Sequence, residues 1–586
     1  MARPGNGPAS SVTTMHRLHA RLSRLARPAT GFVSQPEPRT IGTYAKGKQL
    51  IAGNFLFAGF LIEGPKRSIW DLPSPDPRFT EDLHGFRWLD DLAAVADGPA
   101  RSRAQDWTFG WIMAFGAGGG PGWTPDLTGR RIIRWINHAI FLLNGADRAR
   151  ADAFFRSLGR QTAFLSHRWR AARPGLPRVE SLTGLIYAGL SLTGMEGHVT
   201  PAVDALAREC RDRIDNGGGI ASRNPEELLE VFTLISWAAS ALRQTGRTPP
   251  HDISEAIARI APTLRALRHS DGGLARFHGG GRGQEGWLDR ALADANVKPL
   301  HATGLAMGYA RIAAGRTSVI LDAAAPPAGR ISVEAHASTL AFELTSGRRP
   351  VIVNCGSGAS FGPDWQRAGR ATPSHSTLGI TGISSSRLGP AGRGQSGDML
   401  LEAPDQVWSQ SDADMDGLRL LAGHNGYAAT HGLTHVRQLE LSVNGRGLSG
   451  EDTLGAMTAA DRRRFAAAFD RTAMQGVRFD IRFHLHPDVD AEIDLGGSAV
   501  SLALKSGEIW VFRHDGVATM SLDASVYLQK GRLKPRPAQQ IVLSAAVIDD
   551  ACQICWTLAK AQDTPAAIRD TGRDDEFLTA ERADPQ

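Results

Sequence analysis

Cysteine is scarce: Cys210, Cys355, Cys552 and Cys555 are the only four in 586 residues. Four thiols cannot staple a chain of this size, so a disulfide framework is excluded. The pair in "CQIC" at 552–555 has redox or zinc spacing, but no second pair completes four ligands. It lies in the strand-like run "AAVIDDACQICWTLA", where residues three apart point to opposite faces, so its expected role is structural. Long apolar runs are also missing. "NFLFAGFLIEG" is the most apolar early stretch, and it falls short of the ~20 residues a membrane helix needs. No apolar core of a signal peptide is visible, so cytoplasmic residence is the default expectation, with the periplasm or cell envelope as alternatives.

Three catalytic signatures are absent as well: the Gly-x-Ser-x-Gly elbow, the His-Glu-x-x-His helix and the kinase motifs. Two glycine-rich segments, "FGAGGGPGW" at 115–123 and "FHGGGRGQEGW" at 277–287, have amides that could cradle phosphate. Neither follows a strand and opens a helix, so both read as inter-helix loops rather than nucleotide sites. Acidic pairs such as Asp90-Asp91 sit on ordinary helical faces. The charge excess is small, 66 basic against 60 acidic residues. It favours an anionic partner by steering, and no nucleic-acid motif accompanies it.

Acidic residues are wholly lacking from the first 36 positions, which carry five arginines. In "MHRLHARLSRLA", Leu18, Leu22 and Leu25 share one face and Arg17, Arg21 and Arg24 another. The segment is expected to be a loose basic tail, or to precede a true start at Met15. A surface-binding helix is the alternative.

What is present divides into two halves. From about 45 to 318 the apolar spacing is helical, as in "GRRIIRWINHAIFLLNG", "LTGLIYAGLSLTG" and "ISEAIARIAPTLRALRH". The first of these predicts one helix ending at Gly145. In "NPEELLEVFTLISWAASALRQTG", Asn224 is placed as cap, Pro225 in the first turn and Gly246 as stop. Helical hairpins of this kind stack into a toroid. After "AAAPPAGR" the rhythm becomes that of short strands, with an Asn444-Gly445 hairpin signal. "VRFDIRFHLHPD" sets Phe479, Ile481, Phe483 and Leu485 against Asp480, Arg482, His484 and His486. His484 and His486 could share a metal, although a solvated pair is the expected reading. His431 and His435 precede or open a further strand. The organisation is therefore a disordered segment over 1–44, an α/α toroid over 45–318, an antiparallel β-sandwich over 319–562, and a disordered tail over 563–586.

Several segments, taken in order, resemble the heparinase II/III family of polysaccharide lyases: "LHGFRWLDDL", "RNPEELLEVFTLISWAASALRQTGR", "DGGLARFHGGG", "YARIAAGRTSVILDAAAPP", "SHSTLGITG", "HVRQLELS", "GEDTL" and "IRFHLHP". The resemblance covers roughly 45–560 and implies the same toroid and sandwich. It also implies β-elimination on a uronate-containing acidic polysaccharide. The uronate carboxylate is neutralised, a base takes the neighbouring ring proton, and an acid protonates the leaving oxygen. Family members take these groups from an Asn or His of the toroid and from a Tyr or His. They hold a metal with histidines and an aspartate of the sandwich.

Carried over residue by residue, His375 matches the histidine of the family's "HNTL", with Ser376 in place of Asn. His435 matches the later histidine of the same metal site, so a structural divalent ion such as zinc is expected on His375 and His435; Asp398 is the nearest aspartate. Val179-Glu180-Ser181 stands where the toroid's Asn-His pair should fall, and "IASRNPEEL" has no tyrosine. Arg223 is the candidate carboxylate clamp, and Tyr427 the candidate phenol. The catalytic set implied is thus Arg223, His375 and Tyr427. Two alternatives stay open: a catalytically inactive glycan-binding relative, and a helical-repeat interaction protein.

Overall fold

The computed structural model describes residues 8–65, 67–298, 304–390, 398–565 and 570. Inner helices Pro125–Asn137, Leu176–Ser191 and Pro225–Gln244 are backed by outer helices Arg148–Arg168, Val199–Arg213 and His251–Ala266. Every residue from Val179 to Ser191 is buried, as expected of a helix apolar all round. Glycines let the inner helices touch. A Cβ on Gly184 would lie 2.5 Å from Gly129 Cα, and one on Gly129 would lie 2.3 Å from the Glu180 carbonyl. This contact brings Arg130 beside Glu180.

The expected ends of Pro225–Gln244 are found. Asn224 Oδ1 accepts from the amides of Glu226 and Glu227, at 3.0 and 3.1 Å, and Gly246 follows with φ +74°. The single helix expected up to Gly145 instead breaks at His138. The His138 ring is held there by Asp90 and Thr40.

The N-terminal segment expected to be disordered is ordered over residues 8–44. Helix Pro8–Leu22 packs on Arg148–Arg168, and the chain then crosses the toroid as a strap. Val33 N donates to Ser191 O (2.8 Å), Ser34 Oγ to Leu190 O (2.6 Å) and Thr43 N to Asp91 Oδ1 (2.7 Å). Backbone and small polar groups carry these contacts, which leave no periodic trace in a sequence. The expected tail at 563–586 lies largely outside the described residues; Asp570 pairs with Arg349.

The β-sandwich begins at Tyr309–Ala314, earlier than the boundary expected at 319, because hairpin Tyr309–Asp322 already belongs to a sheet. One sheet runs 407–413, 417–427, 433–442, 447–455, 551–562, 509–514, 499–504, 489–494. The other runs 519–527, 536–547, 477–485, 349–353, 342–346, 317–322, 309–314, with 378–380 beside 477–485. Their inner faces share an aromatic core in which Phe342 stacks on Trp556 (5.9 Å) and Phe483 meets Trp556 edge-on (4.8 Å). The Asn444-Gly445 hairpin joins Leu433–Ser442 to Gly447–Gly455. Cys552 turns inward and Cys555 outward, as the strand reading required.

Candidate functional site

A cleft of about 1580 Å³ opens between the toroid and the sandwich. Helix ends and the loop around Ser222–Asn224 form one wall, and Ser357, Arg370 and Lys530 of the sandwich form part of the other. Among the described residues, lysines and arginines number 10 in its lining and Asp and Glu 9. Most of the cations are already engaged. Arg130 Nε meets Glu180 Oε1 at 2.5 Å, Arg87 meets Glu230 at 2.8 Å and Lys530 meets Glu226 at 2.5 Å. Arg367 pairs with Asp398, and Arg370 spends its guanidinium on the carbonyls of Ala335, Asp398 and Ser332. Burial raises Asp91 to about 6 and Glu180 to about 7. The cleft largely neutralises itself.

Arg223 is not a carboxylate clamp. Its guanidinium donates to Met307 O (3.1 Å), Gly308 O (2.9 Å), Ala324 O (3.0 Å), Ala325 O (2.9 Å) and Asp322 Oδ1 (2.5 Å), and it lies over the Tyr309 ring. All of its donor directions are spent on joining the domains. Tyr427 is not a free phenol either. It sits in the sandwich core, its hydroxyl donates to Leu378 O at 3.1 Å, and burial pushes its pKa up.

His375 is buried in a row of histidines at the domain junction. Its Nδ1–H donates to Ala371 O (2.8 Å), so Nε2 accepts from His336 Nδ1 (2.9 Å). The His336 amide donates to His278 Nδ1 at 3.1 Å, and His278 Nε2 faces Asp322 at 3.5 Å. Burial holds His375 down to about 4 and His336 and His278 well below their ordinary value, so the row is neutral. Among these four residues and Arg223, only His278 reaches the cleft lining. The proposed trio Arg223, His375 and Tyr427 therefore does not converge there.

His435 lies in the sandwich, opposite Leu454 in the strand register. Its Nε2 meets Asp452 Oδ1 at 2.8 Å and its Nδ1 faces His424 at 3.4 Å. Arg437, opposite Asp452 in the register, donates to both Asp452 oxygens, and Trp556 Nε1 adds a further bond at 2.9 Å. Burial opposes ionisation of Asp452, but Arg437 and His435 hold its carboxyl far below the usual range. The residues expected to hold zinc all have protein partners. Both ring nitrogens of His375 and of His435 are engaged, Asp398 is paired with Arg367, and no metal-holding group of three occurs among the described residues. His484 and His486 are not solvated. His484 is locked between Ser525 Oγ (2.8 Å) and Pro373 O (2.9 Å), and His486 packs on Tyr527.

Sequence reasoning missed His278, His336, His424 and Asp452. Asp452 had a usable signal: it sits in "GEDTL", on an inward-facing strand position where an acid needs a buried cation. The cleft pairs had none, because their members are distant along the chain.

A family profile described as "Heparinase II/III-like, C-terminal" matches residues 297–557. FtsZ-localized protein C of Caulobacter vibrioides is 32% identical over 574 residues, covering 95% of this chain and 93% of that protein. Heparinase III superposes with a TM-score of 0.65 at 14% identity, over 94% of this chain and 90% of that one. The heparan sulfate lyase HepC of Pedobacter heparinus gives 0.52 at 14%, over 95% and 89%. These two likenesses show the fold, a helical toroid followed by a β-sandwich.

Proposed function

The chain belongs to the heparinase II/III-like family, and from that premise we propose that it is a catalytically silent, lyase-like protein that localises with FtsZ and keeps its cleft as a glycan-binding groove. The observation that carries this reading is the fate of Arg223, His375 and Tyr427, each consumed by structural hydrogen bonds away from the cleft. Each proton-transfer group lost costs a lyase roughly 10²–10⁴ in rate. Among the described residues the cleft lining contains no tyrosine, and its one histidine, His278, is buried. The association with FtsZ rests on the name of the relative that matches along nearly the whole chain.

The test incubates the protein with a panel of uronate-bearing polysaccharides, the acidic ligand class implied by the resemblance, while near-ultraviolet absorbance and binding heat are followed. Binding without unsaturated product is expected. Absorbing product would restore β-elimination. A fluorescent fusion is expected at the division plane with FtsZ, and a diffuse signal would remove that half of the reading. The paired charges of the cleft favour a second reading, an interaction protein whose groove takes no polysaccharide. Division-plane localisation without any glycan binding would support it.

A further inference from the structure

We propose, resting on the reading of the cleft as a glycan-binding groove, that it selects chains in which uronates alternate with hexosamines whose amino groups are free and cationic. The same chains with those nitrogens acetylated are bound less well. The two signs of charge in the lining are nearly equal in number but not equally engaged. Besides the pairs already described, Arg78 is taken by Asp76 and Arg213 by Glu209. Among the described residues, Lys46, Arg173 and Arg330 are the lining cations left without an ion pair or a set of carbonyl acceptors. The lining acids left without an ion pair are Glu81, Asp82, Asp91, Glu227, Glu334 and Asp364. The unspent charge is thus six negative against three positive. A chain of uronates alone would bring more negative charge into that surplus.

Both walls contribute to the surplus. Glu81 and Asp82 belong to helix Pro77–Gly85, and Glu227 to the first turn of Pro225–Gln244. Across the cleft, Glu334 ends the turn Gly329–Glu334 and Asp364 lies in the first turn of helix Pro363–Arg370. Burial raises the Glu81 carboxyl, and Asp126 and Asp82 add to the rise. Burial raises Glu227 likewise, with Glu230 and Glu334 adding to it. Arg173 pulls against both, so it lies within electrostatic reach of each. Carboxyls crowded by like charge are relieved by a cation placed among them.

An ammonium group supplies that cation with three charge-assisted N–H donors. An acetamido group supplies one uncharged N–H, and its carbonyl oxygen would meet carboxylates with no proton to share, a mismatch that discriminates against the acetylated chain. Arg173 on the toroid wall and Arg330 on the sandwich wall are both exposed, and they remain for the uronate carboxylates.

The experiment titrates the full-length protein by calorimetry, just below neutral pH and at low and high salt. The ligands are heparosan, whose glucosamines are N-acetylated, and the same heparosan after chemical N-deacetylation. The deacetylated chain is expected to bind about tenfold tighter, with the gain lost at high salt. E81Q/E227Q should lose about tenfold on the deacetylated chain, so that the two chains bind alike. E334Q/D364N, at two exposed positions of the other wall, should act in the same sense and guards against a folding defect in the first variant. Equal affinity of the wild type for the two chains, or tighter binding of the acetylated one, would overturn the proposal while leaving glycan binding in place. So would a preference for the deacetylated chain that both double variants retain. Binding of neither chain would overturn the proposal together with the glycan-binding groove.

Discussion

Replacing Arg223 with Ala should break the joint between the two domains and leave ligand binding intact. The guanidinium serves four backbone carbonyls and the Asp322 carboxylate, the last at 2.5 Å. Asp322 is buried, with Ser338 Oγ as its other close partner at 2.7 Å. Truncation would strand a buried carboxylate, a class of change that costs about 3–5 kcal/mol. For a domain the size of the sandwich this corresponds to a melting point lower by roughly 10 °C. R223K retains the charge but cannot span five acceptors with three donors, so about half that loss is expected. R223A/D322N should be less damaging than the sum of its single changes, since the neutral amide removes the unpaired charge. Differential scanning fluorimetry gives the melting points, and titration calorimetry below them gives polysaccharide affinity. If R223A melts within ~1 °C of wild type and loses glycan binding, Arg223 is a clamp after all and the structural assignment is wrong.

Other consequences follow from the same contacts. D452N leaves the buried Arg437 guanidinium without its charge partner and should cost about 3–5 kcal/mol, read by urea denaturation; an unchanged midpoint would contradict the network. Treatment with a chelator should leave the melting temperature within ~1 °C, because both ring nitrogens of His375 and of His435 are engaged; a fall of several degrees would return a metal to that site. Acidification should destabilise the fold through its buried histidines. Burial holds His375 and His484 down to about 4, whereas the unfolded side chains take up protons near 6.5. Their contribution is therefore complete above pH 6.5 and declines as pH falls towards 4, by up to about 3 kcal/mol each. A flat melting profile between pH 7 and 4 would refute it. E180Q/E230Q should release Arg130 and Arg87 and raise affinity for uronate-bearing polysaccharide about tenfold at low salt, with the gain erased at high salt; equal affinity in calorimetry would show that pairing does not govern the cleft.

Local features were legible where local chemistry decides them. Asn224, Pro225 and Gly246 bound a helix by capping and backbone freedom, and Asn444-Gly445 specifies a hairpin by turn geometry. The alternation of Phe479, Ile481, Phe483 and Leu485 fixed an inward face. The opposite face was misread at His484, since nothing in the strand tells that Pro373 and Ser525 will cover it. Arg223 shows the same limit more sharply. An arginine beside a cleft loop has the same sequence neighbourhood whether its fork meets a ligand or five protein acceptors. The pairing of Arg130 with Glu180 depends on two helices meeting at Gly129 and Gly184, a tertiary event across fifty residues.

That pairing also bears on the chemistry that elimination would require of the cleft. Elimination next to a uronate carboxylate needs a donor whose interaction with that carboxylate strengthens as negative charge spreads onto it. A guanidinium already bound to Glu180 has given up much of that capacity. Glu180 stands where the family's Asn-His pair is expected, behind the cleft wall, and burial raises it to about 7. Near neutrality its charge would oppose an incoming uronate. Substituting Glu180 alone would relieve the repulsion and supply no base, since among the described residues the cleft lining holds no tyrosine and its histidine is buried with Nδ1 taken by the His336 amide. E180N should therefore gain affinity for uronate chains without turnover; unsaturated product from that single variant would mean that a proton acceptor stands in the cleft unrecognised.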